Sequence, residues 1–555
     1  MNRISNCVAK HPVASLALFM FAVLVIGCIG VEIVQINIRF AMMTSEMAEQ
    51  PLGLFPTLNG QPYADYPSLY NFLSYLASGG GRWVTRLTLA LPTILFSCYV
   101  VVMTAKTSEL IKPGSGLCAA LFSLLSYESV NIFMAFSIDL PVAAAAVTII
   151  WSMLKFDFGV KALAVYLAML FLSFAVRGPL GVILCGAVTA GVIIGARRWK
   201  ALIVYGVTGA AAGAACLGLA YLAILRQGGD ELWQVVKEWQ VDSRMDNKNV
   251  FSYLYYFTSA IVSFLPVSIL AEVALVMKRR ELTCPKLAMP LLWALLPMVL
   301  LSIPGCKHLR YMAPILPAFA ICAAIGYLEA DRSWAGRLLD FLITLLDKLA
   351  LPVGLALIAT GTAMGIFLPA YRISLFLHLA AALALLLAVN IPFRRRTGKP
   401  WPLVRISLTL SLLVGIACTS GFALWENSSF FVGRTEKLAA EQGGRIYLYD
   451  LNPDHDDLKI MYHLSPEARR KLVAIYRYDP NASKHLKKMF PVTAPKRAFA
   501  KIRPCDVVIL HQKKLKRLKE NAKKAGLQVV MIDKKGRLGH KKAVAVKLLK
   551  IPASK

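Results

Sequence analysis

The sequence predicts an all-α polytopic membrane domain of about thirteen transmembrane helices, followed by a small C-terminal α/β domain. Three observations carry this reading. The chain of 555 residues is 57% hydrophobic and only 17% charged, with a mean hydropathy of +0.58, which is the balance of a membrane protein rather than of a globular enzyme. Apolar runs of near-spanning length recur from residue 13 to residue 424. Beyond that point the runs become short and β-rich.

The elements follow in order. Val13–Val31 has no small-residue cleavage site after its apolar run, so it reads as a retained first helix rather than a removed signal. Next come Leu87–Ala105, Gly116–Phe136, Leu140–Leu154, Leu163–Val176, Pro179–Ile194 and Ala201–Leu225. Phe251–Met277, Leu287–Ile303, Met312–Tyr327, Leu349–Leu368, Ser374–Ile391 and Leu403–Leu424 complete the series. Several are shorter than the ~20 residues a straight crossing needs, as spans beside functional loops often are.

Lys and Arg in the connecting loops set the orientation. With the N-terminus cytoplasmic, the inner loops hold Arg3/Lys10, Lys106/Lys112, Lys155/Lys161, Arg197/Arg198/Lys200, Lys278/Arg279/Arg280, Arg332/Arg337 and Arg394/Arg395/Arg396. The opposite loops read as nearly bare, with Arg177, Lys307, Arg310 and Arg372. Thirteen crossings then leave the C-terminal segment outside.

The outer face gathers the chemistry. The first outer loop, 32–86, carries Arg39, Glu46, Asp65 and Tyr66; Asp139 opens the next outer boundary, and Arg177 stands beside Gly178-Pro179. In KHLRYMAPILPAFA, Lys307, His308, Arg310 and Tyr311 lie directly against a span. A cationic cluster at the lip of an apolar helix suits an anionic ligand, most simply a phosphate. Interfacial snorkelling accounts for a single Arg or Lys equally well. It does not account for Asp139, which has no basic neighbour in the sequence, or for Glu128 and Asn131 late in the third span. A buried carboxylate there needs a cation or a proton-transfer role.

Several stretches together resemble one family. They are RFAMMTSEM, PTLNGQPYADYPSLYNFLSYLAS and RWVTRLTLALPTIL in the first loop, then SIDLPVA, AVRGPLGVIL, YLYYFTSAIVSFLPVSIL, KHLRYMAPILPA and, after the last span, RIYLYDLNPDHDDLKIMYHL. Their order and topology are similar to the polytopic C-type (GT-C) glycosyltransferases around the lipid A aminoarabinose transferase and the protein O-mannosyltransferases. The resemblance implies transfer of a sugar from a polyprenyl (undecaprenyl) phosphate carrier to lipid A, lipopolysaccharide or another envelope glycan, in a bacterial inner membrane. It implies that Arg310 and Lys307, supported by Arg39, Arg177 and Tyr311, hold the departing phosphate, with His308 a further donor. A carboxylate would then act as base on a hydroxyl acceptor.

The family usually carries an acidic pair just before its R-Y-A segment, and here those positions are Ile36 and Asn37; the family's loop lysine falls on Tyr66. Three readings stay open. Glu32 takes the role, or Asp139, Asp65 or Glu128 carries the chemistry alone, or activity or substrate has changed; Tyr63 and Tyr66 are further candidate site residues. Some relatives use a divalent metal ion near the acidic loop, the one cofactor the resemblance implies. His11, His308 and His378 are scattered, and no HxxxH or CxxC occurs.

The C-terminal segment 425–555 holds 30 of the 62 Lys and Arg and 12 of the 31 Asp and Glu, so +18 of the formal +31 sits there. Its runs RIYLYDL, KLVAIYRY, CDVVILH, LQVVMID and KAVAVKLLK read as strands, and KKLKRLKENAKKAG as a helix. Outside the cell membrane such basicity suits an anionic membrane surface better than nucleic acid. The cysteines within spans read as small apolar residues, and Cys306 and Cys505 have no spacing that argues a disulfide. The rival to a transferase is a transporter or flippase of an anionic lipid, which would place functional groups on both faces; a catalytically inactive family member is the third possibility.

Overall fold

The computed structural model describes residues 10–33, 37–50, 52–134, 136–242, 244, 250–366, 372–393, 396, 398–418, 428–451, 456–475, 493, 495–538 and 541–550. Ile36 and the ends of two expected spans, 367–368 and 419–424, lie outside them.

Helix α1 (Pro12–Ile26) leads into the first long loop, which holds α2 (Asn37–Glu46), the hairpin β1 (Thr57–Leu58) and β2 (Gln61–Pro62), and α3 (Leu69–Ala77). Glu46 pins the hairpin by accepting from the Asn59 and Gly60 amides, at 2.6 and 3.2 Å. The membrane helices follow: α4 (Arg86–Ile111), α5 (Gly116–Ser123), α6 (Tyr127–Met134), α7 (Asp139–Lys155), α8 (Val160–Arg177), α9 (Pro179–Gly195) and α10 (Trp199–Lys237). Then come α11 (Tyr255–Ser263), α12 (Val267–Met277), α13 (Pro285–Ser302), α14 (Leu316–Leu328), α15 (Trp334–Ile366), α16 (Arg372–Phe393) and α17 (Trp401–Leu412). Helix α4 starts on a reciprocal cap: Thr85 Oγ1 accepts from the Thr88 amide at 3.2 Å, and Thr88 Oγ1 from the Thr85 amide at 2.9 Å.

Among the described residues six helices are long and apolar enough to cross a membrane, and α6 with α7, bent by 110°, makes a seventh if they form one span. Five further apolar helices have 10–17 residues. The chain is therefore multi-pass, with up to seven long spans and five shorter apolar helices among the described residues. Two expected spans are broken for local reasons. Gly116–Phe136 divides into α5 and α6 where Ser126 Oγ captures the Ser129 amide at 3.0 Å. Phe251–Met277 divides into α11 and α12 at Pro266, which has no amide to continue the ladder.

At one end of the bundle Glu329 gathers lysines from two connections, Lys112 at 2.8 Å after α4, and Lys278 at 3.5 Å and Lys286 across the α12–α13 turn. Burial pushes the Glu329 carboxyl up, but Lys112 and Lys286 outweigh it and hold it at about 2. These are loops whose basic residues set the cytoplasmic side of the sequence-based topology.

At the other end sits a five-stranded mixed sheet. Helix α18 (Ser428–Ala440) precedes β3 (Ile446–Tyr449); α19 (Leu458–His463) and β4 (Val473–Ile475) follow, then β5 (Val507–His511), α20 (Leu515–Lys524), β6 (Leu527–Leu538) and β7 (Lys541–Lys550). The spatial order is β4-β3-β5-β7-β6; β3 runs parallel to β4 and β5, and the other pairs are antiparallel. All five β-rich runs of the sequence form strands and the lysine-rich run forms α20. Alternation sends Ile446, Leu448, Val507 and Ile509 to one face with α18 and α19, and Tyr447, Tyr449, Val508 and Leu510 to the other with α20. The α19 face meets the first loop: Leu458, 1% exposed, packs with Ile38, Phe40, Tyr63 and Tyr66, and Tyr462 donates to the Val84 carbonyl at 2.9 Å.

Candidate active site

Asp139 occupies the first turn of α7, where unpaired amides and the helix dipole favour a carboxylate. Arg177 ends α8, where the dipole favours a cation. Gly178 follows at φ 67°, ψ −152°, a conformation essentially reserved for glycine, and Pro179 at once begins α9. That sharp reversal holds Arg177 against Asp139. Arg310 and Tyr311 come from the 3₁₀ turn Leu309–Ile315, and Tyr66 from the first loop.

The Arg177 Nε donates to Asp139 Oδ1 at 2.7 Å, and both side chains are fully buried. Arg310 Nε lies 3.5 Å from Asp139 Oδ2, and its Nη2 donates to the Tyr66 hydroxyl at 3.1 Å. The Arg177 guanidinium is stacked between two rings, 4.8 Å from the Tyr66 centroid and 4.9 Å from that of Tyr311. Its Nη1 and Nη2 are buried and have no hydrogen-bond partner among the described residues. Burial, and then the charge of Asp65, push the Tyr66 hydroxyl up, so it stays a neutral phenol. A fixed guanidinium with spare buried donors, beside a second guanidinium, has the chemistry of an oxyanion receptor.

Other expected residues border this group. Arg39 donates to the Tyr63 hydroxyl, with its Cζ 5.2 Å from that ring. Asp65 pairs with Arg244, whose Cζ is 6.0 Å from the Tyr66 centroid. Lys307 lies at the same boundary but turns its ammonium onto the Leu301 and Ser302 carbonyls, at 3.1 and 2.6 Å, closing the end of α13. His308 exchanges backbone hydrogen bonds with the Tyr256 hydroxyl. Burial, then the charge of Arg310, hold its imidazole below the usual histidine range, which makes it a poor cation for a phosphate.

Two expected carboxylates sit apart. Glu32 accepts from Ser429 Oγ and faces Tyr462 and His463, so it belongs to the seam with the C-terminal sheet. Glu128 accepts from Asn131 Nδ2 at 3.4 Å and pairs with none of these arginines. Asn37 starts α2.

Sequence reasoning passed over the segment after residue 225. Helix α10 continues to Lys237 across a break at Gly228 and Gly229, the latter at φ 62°, and a π-helical turn extends it to Asp242. Gln227 bonds both the amide and the carbonyl of Phe55, Gln240 donates to the Ala64 and Asp65 carbonyls, and Trp239 stands edge-on to Tyr63 at 5.5 Å. The Arg244 carbonyl accepts from the Gly305 and Cys306 amides, at 2.7 and 3.3 Å, tying the segment to the loop that carries Lys307. The signal was present: residues 226–250 are polar and carry Arg226, Lys237, Arg244 and Lys248, so the side read as nearly bare of cations is not.

The residues do not fit a divalent ion. Among the described residues no group of three His, Cys, Asp or Glu side chains could hold one, and Asp139 and Asp65 are both engaged by arginines.

No protein-family model matches the sequence, and no curated protein matches it. Solved structures do. ArnT from Cupriavidus metallidurans bound to undecaprenyl phosphate superposes with a TM-score of 0.66 at 16% identity, covering 96% of this chain and 97% of that one. Its apo state gives the same score and identity over 98% of both chains. An Archaeoglobus fulgidus oligosaccharyltransferase is more remote, with a TM-score of 0.45 and 9% identity over 93% of this chain and 71% of that one. The chain therefore has the fold of ArnT along nearly its whole length, as the motif resemblance implied.

Proposed function

On that ArnT-like fold, we propose that the chain is a membrane glycosyltransferase moving a sugar from undecaprenyl phosphate to lipid A, lipopolysaccharide or another envelope acceptor. Residues 1–424 form the catalytic membrane domain and 425–555 a basic periplasmic domain, with the N-terminus cytoplasmic in a bacterial inner membrane. The observation that carries the proposal is the buried Asp139–Arg177–Arg310 group, with spare guanidinium donors clamped between Tyr66 and Tyr311.

The mechanism follows from charge. Displacement at the anomeric carbon breaks the bond to the carrier phosphate, whose oxygen gains negative charge. Arg177 and Arg310 donate to that oxygen in a site shielded from water, where such donors act most strongly. Asp139 has both oxygens facing guanidinium groups, which is the geometry of a counterion that positions them. Asp65 stands in the same relation to Arg244. An acceptor that is already anionic, such as the phosphate of a glycolipid, needs no base. That removes the demand for the acidic pair replaced at Ile36 and Asn37. The arginine pairs of Asp139 and Asp65 lie at one end of the bundle, while the lysines at the other end are spent on Glu329, which favours a transferase over a flippase.

Mass spectrometry of envelope lipids from cells with and without the gene tests this reading. A sugar-modified lipid should vanish with the gene and return with wild type but not with Arg177→Ala. If deletion leaves every envelope lipid unchanged, the proposal fails.

A further inference from the structure

A cavity of about 190 Å³ lies between α8, α9 and α10 and extends away from the Asp139 end of the membrane domain. Tyr166 on its wall is eleven residues before Arg177 on α8, about 16 Å along the helix. On α9 the lining runs from Val182 through Gly186 and Thr189 to Ile193, also about 16 Å. The cavity is thus a groove parallel to the helix axes, and so to lipid chains. Gly186 and Gly206 open it from facing helices, since a Cβ on either would meet nothing within 4 Å.

Two features separate it from a plain apolar gap. Thr189 and Tyr205 line it, both are 2% exposed, and neither hydroxyl has a hydrogen-bond partner among the described residues. On the facing helix Thr208 returns its hydroxyl to the Val204 carbonyl one turn back, which Thr189 does not do. An unpaired hydroxyl at membrane depth is costly. The second feature is the lip. The groove ends at Ile193 and Leu202, beside exposed Lys200, Arg197, which donates to the Thr283 carbonyl at 3.0 Å, and Arg198, which pairs with Asp157 at 2.7 Å. Helical side chains lean toward the N-terminus of their helix, and α10 begins at this lip, so the Tyr205 phenol reaches toward it.

We propose that this groove binds an anionic glycerophospholipid of the leaflet opposite the Asp139 site. One acyl chain lies along α9 and α10, an ester carbonyl accepts from Tyr205 or Thr189, and the headgroup phosphate rests on Arg197, Arg198 and Lys200. A polyprenyl chain would fill the groove but has no oxygen for the hydroxyls, and its phosphate would sit at the far end of the helices. The site is independent of the sugar transfer proposed above.

The test uses the full-length protein, delipidated in detergent and titrated with phosphatidylglycerol, phosphatidylcholine or undecaprenyl phosphate, with native mass spectrometry and melting temperature as readouts. Phosphatidylglycerol should bind more tightly than phosphatidylcholine and raise the melting temperature. Gly206→Leu, which fills the groove, should weaken phosphatidylglycerol binding about tenfold or more, equivalent to 1.4 kcal/mol. Tyr205→Phe should weaken it less. Gly186→Leu fills the groove from the other helix should Gly206→Leu fold poorly. Wild-type phosphatidylglycerol affinity in a filled variant, equal affinity for phosphatidylcholine, or displacement of phosphatidylglycerol by undecaprenyl phosphate would each overturn the proposal.

Discussion

Arg177 spends one donor on Asp139 and keeps the rest buried, which makes it the residue on which turnover should depend most. Arg177→Ala should lower sugar transfer by about 10²–10³, the usual loss of an oxyanion donor. Arg177→Lys should not restore it, because a compact ammonium cannot fill a planar slot between two rings. Product formed per enzyme, with melting temperature in parallel, checks both. Asp139→Asn differs in kind: it leaves two guanidinium groups without a counterion and should cost about 3–5 kcal/mol of stability, read as a lower melting temperature. Asp457 offers a pH test outside the membrane helices. Burial, then neighbouring Asp456, push its carboxyl well above the ordinary range. A raised folded pKa means its contribution is complete below the unfolded value of about 3.9 and is lost as pH rises through the folded one. Asp457→Asn should therefore match wild type in acid and melt higher at neutral and alkaline pH. Equal melting curves at every pH would refute the assignment.

At the scale of elements, the join between α8 and α9 sets the site. Gly178→Ala forces a side chain into a glycine conformation at about 1–3 kcal/mol and should displace Arg177. Transfer should fall further than the melting shift explains; unchanged kinetics would show that Asp139 and the two rings hold Arg177 without the Gly178 reversal. The apolar runs, the Gly-Pro boundary and the Arg-Tyr turn were all legible, because each rests on local chemistry. The α5–α6 break was not, since run length does not reveal a hydroxyl that captures an amide; Pro266 was visible at the α11–α12 break but was read through as part of one apolar run. The continuation of α10 over the first loop was hidden for the opposite reason. Its polar residues look like a loop until Phe55, Ala64 and Asp65 supply their partners.

Over the whole molecule, α19 joins the C-terminal part to the first loop, since Leu458 is buried in the first-loop core. Leu458→Ala should cost about 2–5 kcal/mol as a buried large-to-small change. Leu458→Glu should split calorimetric melting into two transitions. One unbroken transition in that variant would mean the two parts are not coupled through α19. Helix α20 lies on the opposite face of the sheet, so Lys516, Lys519 and Lys523 are carried away from the first loop.

Composition, period and loop charge were enough for the multi-pass helices, the five C-terminal strands and the candidacy of Asp139, Arg177 and Arg310, because hydrophobic length and alternation are properties of contiguous chain. Partnership is not. Asp139 has no cation near it in sequence and two around it in space, Lys307 turns to its own helix end, and Glu32 joins the C-terminal seam. The Lys307 choice is local, but those of Asp139 and Glu32 were made only when distant segments packed, since a buried charge must be met by whichever partner the fold brings within reach.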